Sequence, residues 1–375
     1  MSTTAPSPAP TPGLSWGTRV LRSRVLAALA SPHGVDRYLE LVNPMWAAEE
    51  VRARVVEVRR ETPSVATVVL QPTSTWRGHR AGQYVQVGID LPGSAKRLTR
   101  CFTVSSAASV PGEQITLTVR AHEDADGRQS VSKALGEVRP GTVLHLSQAQ
   151  GAFTLDESPA TPTNNHLLLL TGGSGITPAM SILRTLLRDG YDGRAGRKVT
   201  FLHYARSPED QIYADELAAI AAADNDVTVH LRHGEQVFSE LELRRLVPAY
   251  RDTDTWVCGP SGLTDLVTTA YAGSSRLRTE LFKAPRAGAG SAGGDVAFTR
   301  SGAEGTNTGA TLLEQAEALG LRPESGCRMG ICFSCTSRKT EGTVRNVLTG
   351  ATSSAPDEDI QICVSAPVGD CAVEL

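Results

Sequence analysis

The sequence lacks several features that would assign it to large classes of protein. No apolar run in its 375 residues approaches the roughly 18 residues of a membrane-spanning helix, and the longest, HLLLLTGG, is typical of a short buried strand. The net charge is −3, so the basic excess of a nucleic-acid-binding protein is absent. No paired carboxylates or Ser–His–Asp set stands out, and the eight histidines show no 2-His-1-carboxylate or haem-ligand pattern. These absences argue against a membrane-spanning protein, a nucleic-acid binder and a complete oxygenase.

The amino-terminal segment MSTTAPSPAPTPG is rich in Pro, Ser and Thr, which predicts disorder. It lacks the basic start and apolar core of a secretory signal, and we therefore expect a cytoplasmic protein. Residues 14–48 are expected to be partly helical, because WGTRVLRSRVLAALA carries apolar residues at helical spacing with arginines between them. Two interpretations stay open: a helix packed on the next domain, or a contact with a membrane surface.

The periodicity changes along the rest of the chain. From Val51, the short runs VRARVVEV, ATVVLQP, QYVQVGI, RCFTVSS, QITLTVR and TVLHLSQ predict a small antiparallel barrel or sandwich. From HLLLLTGG onward, strands alternate with helices, as in a parallel sheet with crossover helices. APRAGAGSAGG is typical of a flexible linker. The predicted segments are 1–48, 49–160, 161–283, 284–294 and 295–375.

The stretch GCRMGICFSC places Cys327, Cys332 and Cys335 at the spacing C-x4-C-x2-C, and Cys363 follows after 27 residues. This is the ligand spacing of a plant-type [2Fe–2S] cluster, whose two irons take four thiolates. Structural zinc would prefer paired C-x2-C units, and only one such unit is present. Disulfides would need an oxidising compartment. The spacing therefore favours an iron–sulfur cluster over both alternatives.

RCFTVSS is a weak pattern by itself and could be a barrel strand with alternating faces. In this position it resembles the flavin-binding strand R-x-Y-[ST] of the ferredoxin–NADP reductase superfamily. The resemblance implies that Arg100 pairs with a flavin phosphate, that Phe102 stacks on the isoalloxazine ring and that Thr103 bonds flavin N5. Phe in place of Tyr keeps the stacking face but loses the hydroxyl.

Two further stretches resemble the superfamily's phosphate-binding turns. DGRQSVSKAL resembles its Gly/Ser turn, which implies that Ser130, Val131 and Ser132 present N–H groups to a pyrophosphate, although a capped surface helix is the alternative. TGGSGITP matches the nicotinamide-nucleotide motif G-G-x-G-I-T-P, and not the general G-x-G-x-x-G fingerprint. The residues carried over from that motif are Gly172, Gly173, Gly175, Ile176, Thr177 and Pro178.

CGP and the region after KVTFLHYA complete the implied nucleotide site. Cys258 could be an inert buried thiol, but in the superfamily a cysteine here, followed by Gly259 and Pro260, lies beside nicotinamide C4. With Thr103 it is implied to be catalytic. Arg206, Ser207 and Tyr213 fall where the superfamily holds the adenosine ribose. Arg206 and Ser207 suit a 2′-phosphate, whereas Glu209 and Asp210 could hold a 2′-hydroxyl or pair with Arg206.

The resemblance implies a multidomain protein: an antiparallel flavin-binding β-barrel, an α/β nucleotide domain and a β-grasp ferredoxin domain. This order is that of the reductase components of oxygenase systems, and NPMW followed by VRARVVEVRRET further resembles reductases that serve membrane acyl-CoA desaturases. The implied function is electron transfer from NADPH through FAD and a [2Fe–2S] cluster to an oxygenase or desaturase. NADH and FMN are the alternative cofactors, and peripheral contact at the inner membrane face is compatible with this function. A redox-sensing regulatory protein with slow turnover is the rival interpretation.

Overall fold

The computed structural model describes residues 34–90, 97–121, 130–155, 161, 163–189, 197–282, 292–330 and 333–375. Three sheets follow one another along these ranges. Every helix in the described part of the chain is too short or too polar to traverse a lipid bilayer. The predicted amino-terminal disorder, most of the predicted linker and Cys332 lie outside the described residues. The five segment boundaries given above stay a prediction.

The first sheet is antiparallel, as its alternating sequence predicts, and its strand order is β4-β3-β6-β1-β2-β5. An antiparallel bridge between Val104 and Leu117 joins the end of β4 to β5, so the two edge strands meet and the sheet closes into a barrel. A short helix, α2 (Val131–Gly136), packs against β5. The six strands are β1 (Val51–Thr62), β2 (Val65–Pro72), β3 (Tyr84–Ile89), β4 (Leu98–Thr103), β5 (Ile115–Arg120) and β6 (Val143–Leu146).

A buried carboxylate ties the segment before the barrel to β1. Asp36, in helix α1 (Val35–Val42), accepts hydrogen bonds from the N–H groups of Ala48 (2.5 Å), Glu49 (3.0 Å) and Glu50 (2.7 Å). The buried Arg52 of β1 donates to the carbonyl oxygen of Asp36 at 3.2 Å. Residues 36–50 therefore cover part of the barrel. The stretch WGTRVLRSRVLAALA, whose predicted helix could pack on the next domain or contact a membrane, lies outside the described residues.

The second sheet is parallel throughout, in the order β11-β10-β7-β8-β9. The run HLLLLTG forms its central strand, and all but the first of its residues are buried, as expected for a strand covered on both faces. Its strands are β7 (His166–Gly172), β8 (Lys198–Ala205), β9 (Val227–His233), β10 (Asp254–Cys258) and β11 (Leu277–Glu280). Its helices are α3 (Ile176–Arg188), α4 (Ala214–Ala222), α5 (Glu240–Leu246) and α6 (Ser261–Ala270).

The third sheet is mixed, because β12 pairs with β17 in parallel while the other pairs are antiparallel. A short helix, α7 (Leu312–Ala318), begins at a capping box in which Thr311 and Glu314 bond each other's backbone N–H. Gly320 has a φ of +82° just beyond the helix, in the left-handed conformation that commonly ends helices. The strands are β12 (Asp295–Phe298), β13 (Ala303–Thr306), β14 (Thr336–Asn346), β15 (Thr352–Ser353), β16 (Glu358–Gln361) and β17 (Ser365–Val373).

Candidate functional site

The strand predicted to hold the flavin, β4, lies at one end of the barrel sheet. Its first five residues are half-buried and only Thr103 is fully buried, so Arg100 and Phe102 present part of their surface to a ligand. Nη1 of Arg100 donates to the carbonyl oxygen of Thr99 at 2.9 Å and to that of Ser325 at 3.1 Å. Ser325 stands two residues before Cys327 and carried no signal in the sequence. A half-exposed aromatic ring beside a cation fits a planar cofactor with a phosphate.

The second predicted flavin contact is the start of α2. Ser130 is its N-cap, and the Ser130 side chain accepts a hydrogen bond from the N–H of Lys133 at 3.2 Å. The hydroxyls of Ser130 and Ser132 are 3.0 Å apart, and Val131 is buried. The capping that the alternative interpretation predicts is therefore present, and the role of these residues toward a pyrophosphate stays a prediction.

The loop TGGSGITP lies between β7 and α3, at the carboxyl edge of the parallel sheet, where nucleotides bind in such folds. Gly173 has a φ of +54°, and a Cβ built on it would have no atom within 4 Å. The space above the start of α3 is thus open, and it fits a phosphate beside the positive end of a helix. Ile176, Thr177 and Pro178 are buried in the first turn, where the Thr177 hydroxyl donates to the carbonyl oxygen of Ser174 at 3.1 Å.

Two other glycines of the motif serve contact between loops. A Cβ on Gly175 would lie 2.3 Å from the carbonyl oxygen of Cys258, and one on Gly172 would lie 2.8 Å from Leu263 Cδ2. A Cβ on Gly259 would in turn lie 3.0 Å from the nitrogen of Gly172. The TGGSGITP and CGP loops therefore touch backbone to backbone, which the sequence motif does not indicate.

Cys258 ends β10 and is completely buried. Its register partner on β11 is Glu280, whose side chain is buried and whose Oε2 has no hydrogen-bond partner among the described residues. Burial raises the pKa of Glu280 to about 8. Burial, and then the charge of Glu280, raise the pKa of the Cys258 thiol. Burial therefore favours the neutral form of both groups.

The residues predicted to hold the ribose do not all reach the surface. Arg206 is exposed, and its Nε lies 3.0 Å from Asp210 Oδ2, so its partner is Asp210 and not Glu209. A hydrogen bond from Ser207 lowers the pKa of Glu209. Tyr213 is buried, and its hydroxyl donates to Thr118 of the barrel at 2.5 Å. The role of Tyr213 at the ribose stays a prediction, although a left-handed φ of 59° at the start of α4 turns its side chain into the core.

Three of the four predicted cluster ligands are brought together. Cys327, Cys335 and Cys363 are buried, and hydrogen bonds from the Cys363 thiol to Cys327 and Cys335 raise its own pKa. The bond from Cys363 is also the main reason why the pKa of Cys335 is lowered to about 7. The N–H of Met329 donates to Cys327 Sγ at 3.3 Å. Buried thiols that accept backbone N–H bonds fit the thiolate ligands of an iron–sulfur cluster.

In the described part of the chain, no three His, Cys, Asp or Glu side chains surround one point as a single metal ion requires. A binuclear cluster does not need such a point, because each iron takes only two thiolates. None of the six described cysteines forms a disulfide. Cys332 of this loop lies outside the described residues.

Comparisons with known proteins agree with the organisation into three sheets. The family model of the oxidoreductase NAD-binding domain matches residues 169–269, and that of the 2Fe-2S iron-sulfur cluster binding domain matches residues 300–368. In fold the chain is similar to phthalate dioxygenase reductase, with a TM-score of 0.57 at 21% identity over 86% of this chain and 97% of that one.

Curated relatives span nearly the whole chain. An NADPH oxidoreductase of Mycobacterium tuberculosis is 37% identical over 96% of this chain and 93% of its own length. NADH oxidoreductase HCR of Escherichia coli is 32% identical over 85% and 96%. A glycine betaine monooxygenase reductase subunit of Pseudomonas aeruginosa is 28% identical over 88% and 96%. The chain belongs to the family of NAD(P)H oxidoreductases that join a ferredoxin–NADP reductase-type flavin and nicotinamide module to a carboxyl-terminal [2Fe–2S] domain.

Proposed function

We propose that this chain takes a hydride from NADPH and delivers single electrons to a partner oxygenase. The observation that carries the proposal is the hydrogen bond between Arg100 and Ser325, because it brings the flavin strand against the loop of cluster ligands. When bound, a flavin accepts a hydride and gives up electrons singly, and a [2Fe–2S] cluster takes one electron at a time. The protein positions the two groups relative to each other.

The barrel residues have distinct roles in this proposal. Arg100 holds a flavin phosphate, Phe102 offers its half-buried ring for stacking, and the Thr103 hydroxyl bonds flavin N5. Ser130, Val131 and Ser132 hold the pyrophosphate of FAD, and FMN is the alternative cofactor. The half-buried state of β4 supports this assignment.

The nucleotide site is assigned to the touching TGGSGITP and CGP loops. Gly173 leaves room for the pyrophosphate at the start of α3, while Gly172, Gly175 and Gly259 hold the two loops together. Cys258 stands beside nicotinamide C4 as a neutral, buried group. Arg206 and Ser207 face the 2′-phosphate, which makes NADPH the nucleotide. One relative is named for NADPH and another for NADH, so relatives alone do not decide.

Cys332 completes the set of ligands with Cys327, Cys335 and Cys363. An oxygenase is the proposed electron acceptor, because a relative that matches nearly the whole chain is named as a monooxygenase reductase subunit. A membrane desaturase is the narrower proposal and rests on the resemblance around NPMW. Free thiol ligands suit a reducing cytoplasm, and peripheral contact with the membrane is compatible with it.

The test is steady-state turnover of the flavin- and cluster-loaded protein with NADPH and cytochrome c. Many turnovers per second are expected, and Cys332→Ser should remove most of them while reduction of the flavin by NADPH continues. Absence of turnover in a fully loaded wild type would favour the redox-sensing protein instead.

A further inference from the structure

Helix α3, which starts at the nucleotide loop, turns one polar face toward the chain that follows the flavin strand. The Ser181 hydroxyl donates to the carbonyl oxygen of Ser106 at 2.7 Å and accepts from the N–H of Gly82 at 3.2 Å. One turn later, the Thr185 hydroxyl accepts from the N–H of Ala108 at 2.8 Å. Positions four apart share one helix face, so these bonds run along a single edge of α3.

Arg184 is the centre of this contact. Its Nη1 donates to the carbonyl oxygen of Ser105 at 2.5 Å, and Ser105 is only two residues beyond Thr103. Its Nε and Nη2 donate to the two carboxylate oxygens of Glu216 in α4, at 2.8 Å and 2.5 Å. Burial opposes the charge on Arg184, but the hydrogen bonds that it donates to Glu216 and the neighbouring Tyr213 outweigh burial and raise the pKa of the guanidinium. Arg184 therefore stays charged and fixed in a bidentate pair.

Tyr213 closes the network on the barrel side. The guanidinium carbon of Arg184 lies 4.5 Å from the centroid of the Tyr213 ring, and the Tyr213 hydroxyl donates to Thr118 Oγ1 at 2.5 Å. Thr118 Oγ1 is in turn 3.0 Å from the hydroxyl of Ser105. These contacts form a closed ring between the helices of the nucleotide sheet and the barrel. We call it the Arg184 ring, and its members are Arg184, Tyr213, Thr118 and Ser105.

We propose that Arg184 is a positioning residue for hydride transfer, because the Arg184 ring sets the place of the nucleotide loop relative to the flavin strand. The inference rests on the proposed function. Arg184 lies seven residues after Thr177, which is about 10 Å along the helix, and α3 transmits its position rigidly to the loop. A displacement of about 1 Å between reacting groups can cost about a hundredfold in rate.

The test uses the flavin- and cluster-loaded protein and stopped-flow reduction by NADPH and by NADPH deuterated at C4. Arg184→Ala should slow flavin reduction about ten- to a hundredfold, with a full isotope effect. The dissociation constant for NADP⁺ should change by less than about threefold, because Arg184 is not one of the residues proposed to hold the nucleotide. Arg184→Lys, which keeps the charge but not the fork, should recover only part of the rate. Arg244→Ala, which removes an exposed pair with Glu240, is the matched control and should behave as wild type.

Amide hydrogen exchange supplies a readout apart from activity. In Arg184→Ala, exchange at residues 105–108 should rise, and in the control it should not. An unchanged reduction rate per bound flavin would overturn the inference, as would a loss of rate matched by an equal loss of NADP⁺ affinity. If Arg184→Ala does not fold, Glu216→Gln, which weakens the same fork, decides between these outcomes. If neither NADPH nor NADH reduces the loaded wild type, the proposed function is overturned. Amide hydrogen exchange would then decide by itself whether Arg184 joins α3 to the barrel.

Discussion

Cys258 and Glu280 occupy paired positions on the parallel strands β10 and β11, and both side chains are buried. A carboxyl group in this setting would lose its hydration shell without gaining a partner, so the neutral form is favoured. The raised pKa of Glu280, about 8, expresses this cost. The same pair stands at the carboxyl edge of the sheet, where the nicotinamide is proposed to bind.

The first prediction concerns stability and pH. The unfolded chain loses the Glu280 proton near pH 4.5, whereas the folded protein keeps it until about pH 8. Between these values the folded state holds one more proton, so the Glu280 contribution to stability falls as the pH rises, and it levels off above about pH 8. Glu280→Gln should therefore flatten the fall of the thermal midpoint across this window. Glu304→Gln, at an exposed position, is the control, and parallel curves for wild type and Glu280→Gln would contradict the prediction.

The sequence predicts the three sheets well, because periodicity is a local signal. The predicted cluster ligands rest on cysteine spacing, which is also a local signal. The sequence does not predict that Tyr213 is buried. This residue lies near Arg206 in the chain, but a positive φ turns it inward. It also misses Arg184, because Ser181, Arg184 and Thr185 resemble the solvent face of an amphipathic helix until the barrel covers them. The sequence also leaves the partner of Arg206 undecided, because Glu209 and Asp210 both lie close to it in the chain.

The second prediction concerns Arg100. Arg100→Ala should weaken flavin binding by about 1.5–3 kcal/mol, or roughly ten- to a hundredfold, because a charge-assisted bond to phosphate is lost. At saturating flavin it should still slow reduction of the cluster, because the bond to Ser325 is lost as well. Flavin titration and stopped-flow absorbance of the cluster measure the two effects. Arg97→Ala is the control, because Arg97 pairs with Asp90 at 3.1 Å. Normal cluster reduction in Arg100→Ala would show that the Ser325 contact has no part in electron transfer.

The third prediction separates the cluster from the flavin. Cys332→Ser should abolish the visible iron–sulfur absorption and leave flavin reduction by NADPH intact, since Cys335 and Cys363 adjoin strands of the third sheet whereas the flavin strand belongs to the first. Cys371→Ala, at a buried cysteine outside the ligand spacing, should keep the cluster. Loss of flavin reduction in a folded Cys332→Ser protein would mean that the two parts do not act separately.

The fourth prediction compares two glycines of one loop. Gly173→Val should raise the Michaelis constant for NADPH with little loss of flavin. The valine side chain would enter the open space at the start of α3 where the pyrophosphate is proposed to bind, and the positive φ of this position is its only source of strain. Gly175→Ala should instead lower the thermal midpoint, because its Cβ would lie 2.3 Å from the Cys258 carbonyl oxygen. Kinetics and thermal unfolding of both variants distinguish the two effects. Unchanged Michaelis constants for NADPH and NADH in Gly173→Val would remove this loop from the nucleotide site.

The last prediction concerns the choice of nucleotide. Asp210 already lies 3.0 Å from Arg206 and 3.6 Å from Arg120, so a 2′-phosphate must share the cation with this carboxylate. Arg206→Ala should raise the Michaelis constant for NADPH about tenfold more than that for NADH. This factor is at the lower end of the range for losing a charge-assisted hydrogen bond, because Arg206 is exposed. Asp210→Asn should act in the opposite direction and lower the constant for NADPH, because it removes a negative charge beside the phosphate. Both constants are measured for each variant at fixed ionic strength, since salt screens the exposed charges. Equal changes for the two nucleotides, or a wild type that prefers NADH, would rule out Arg206 as the phosphate ligand.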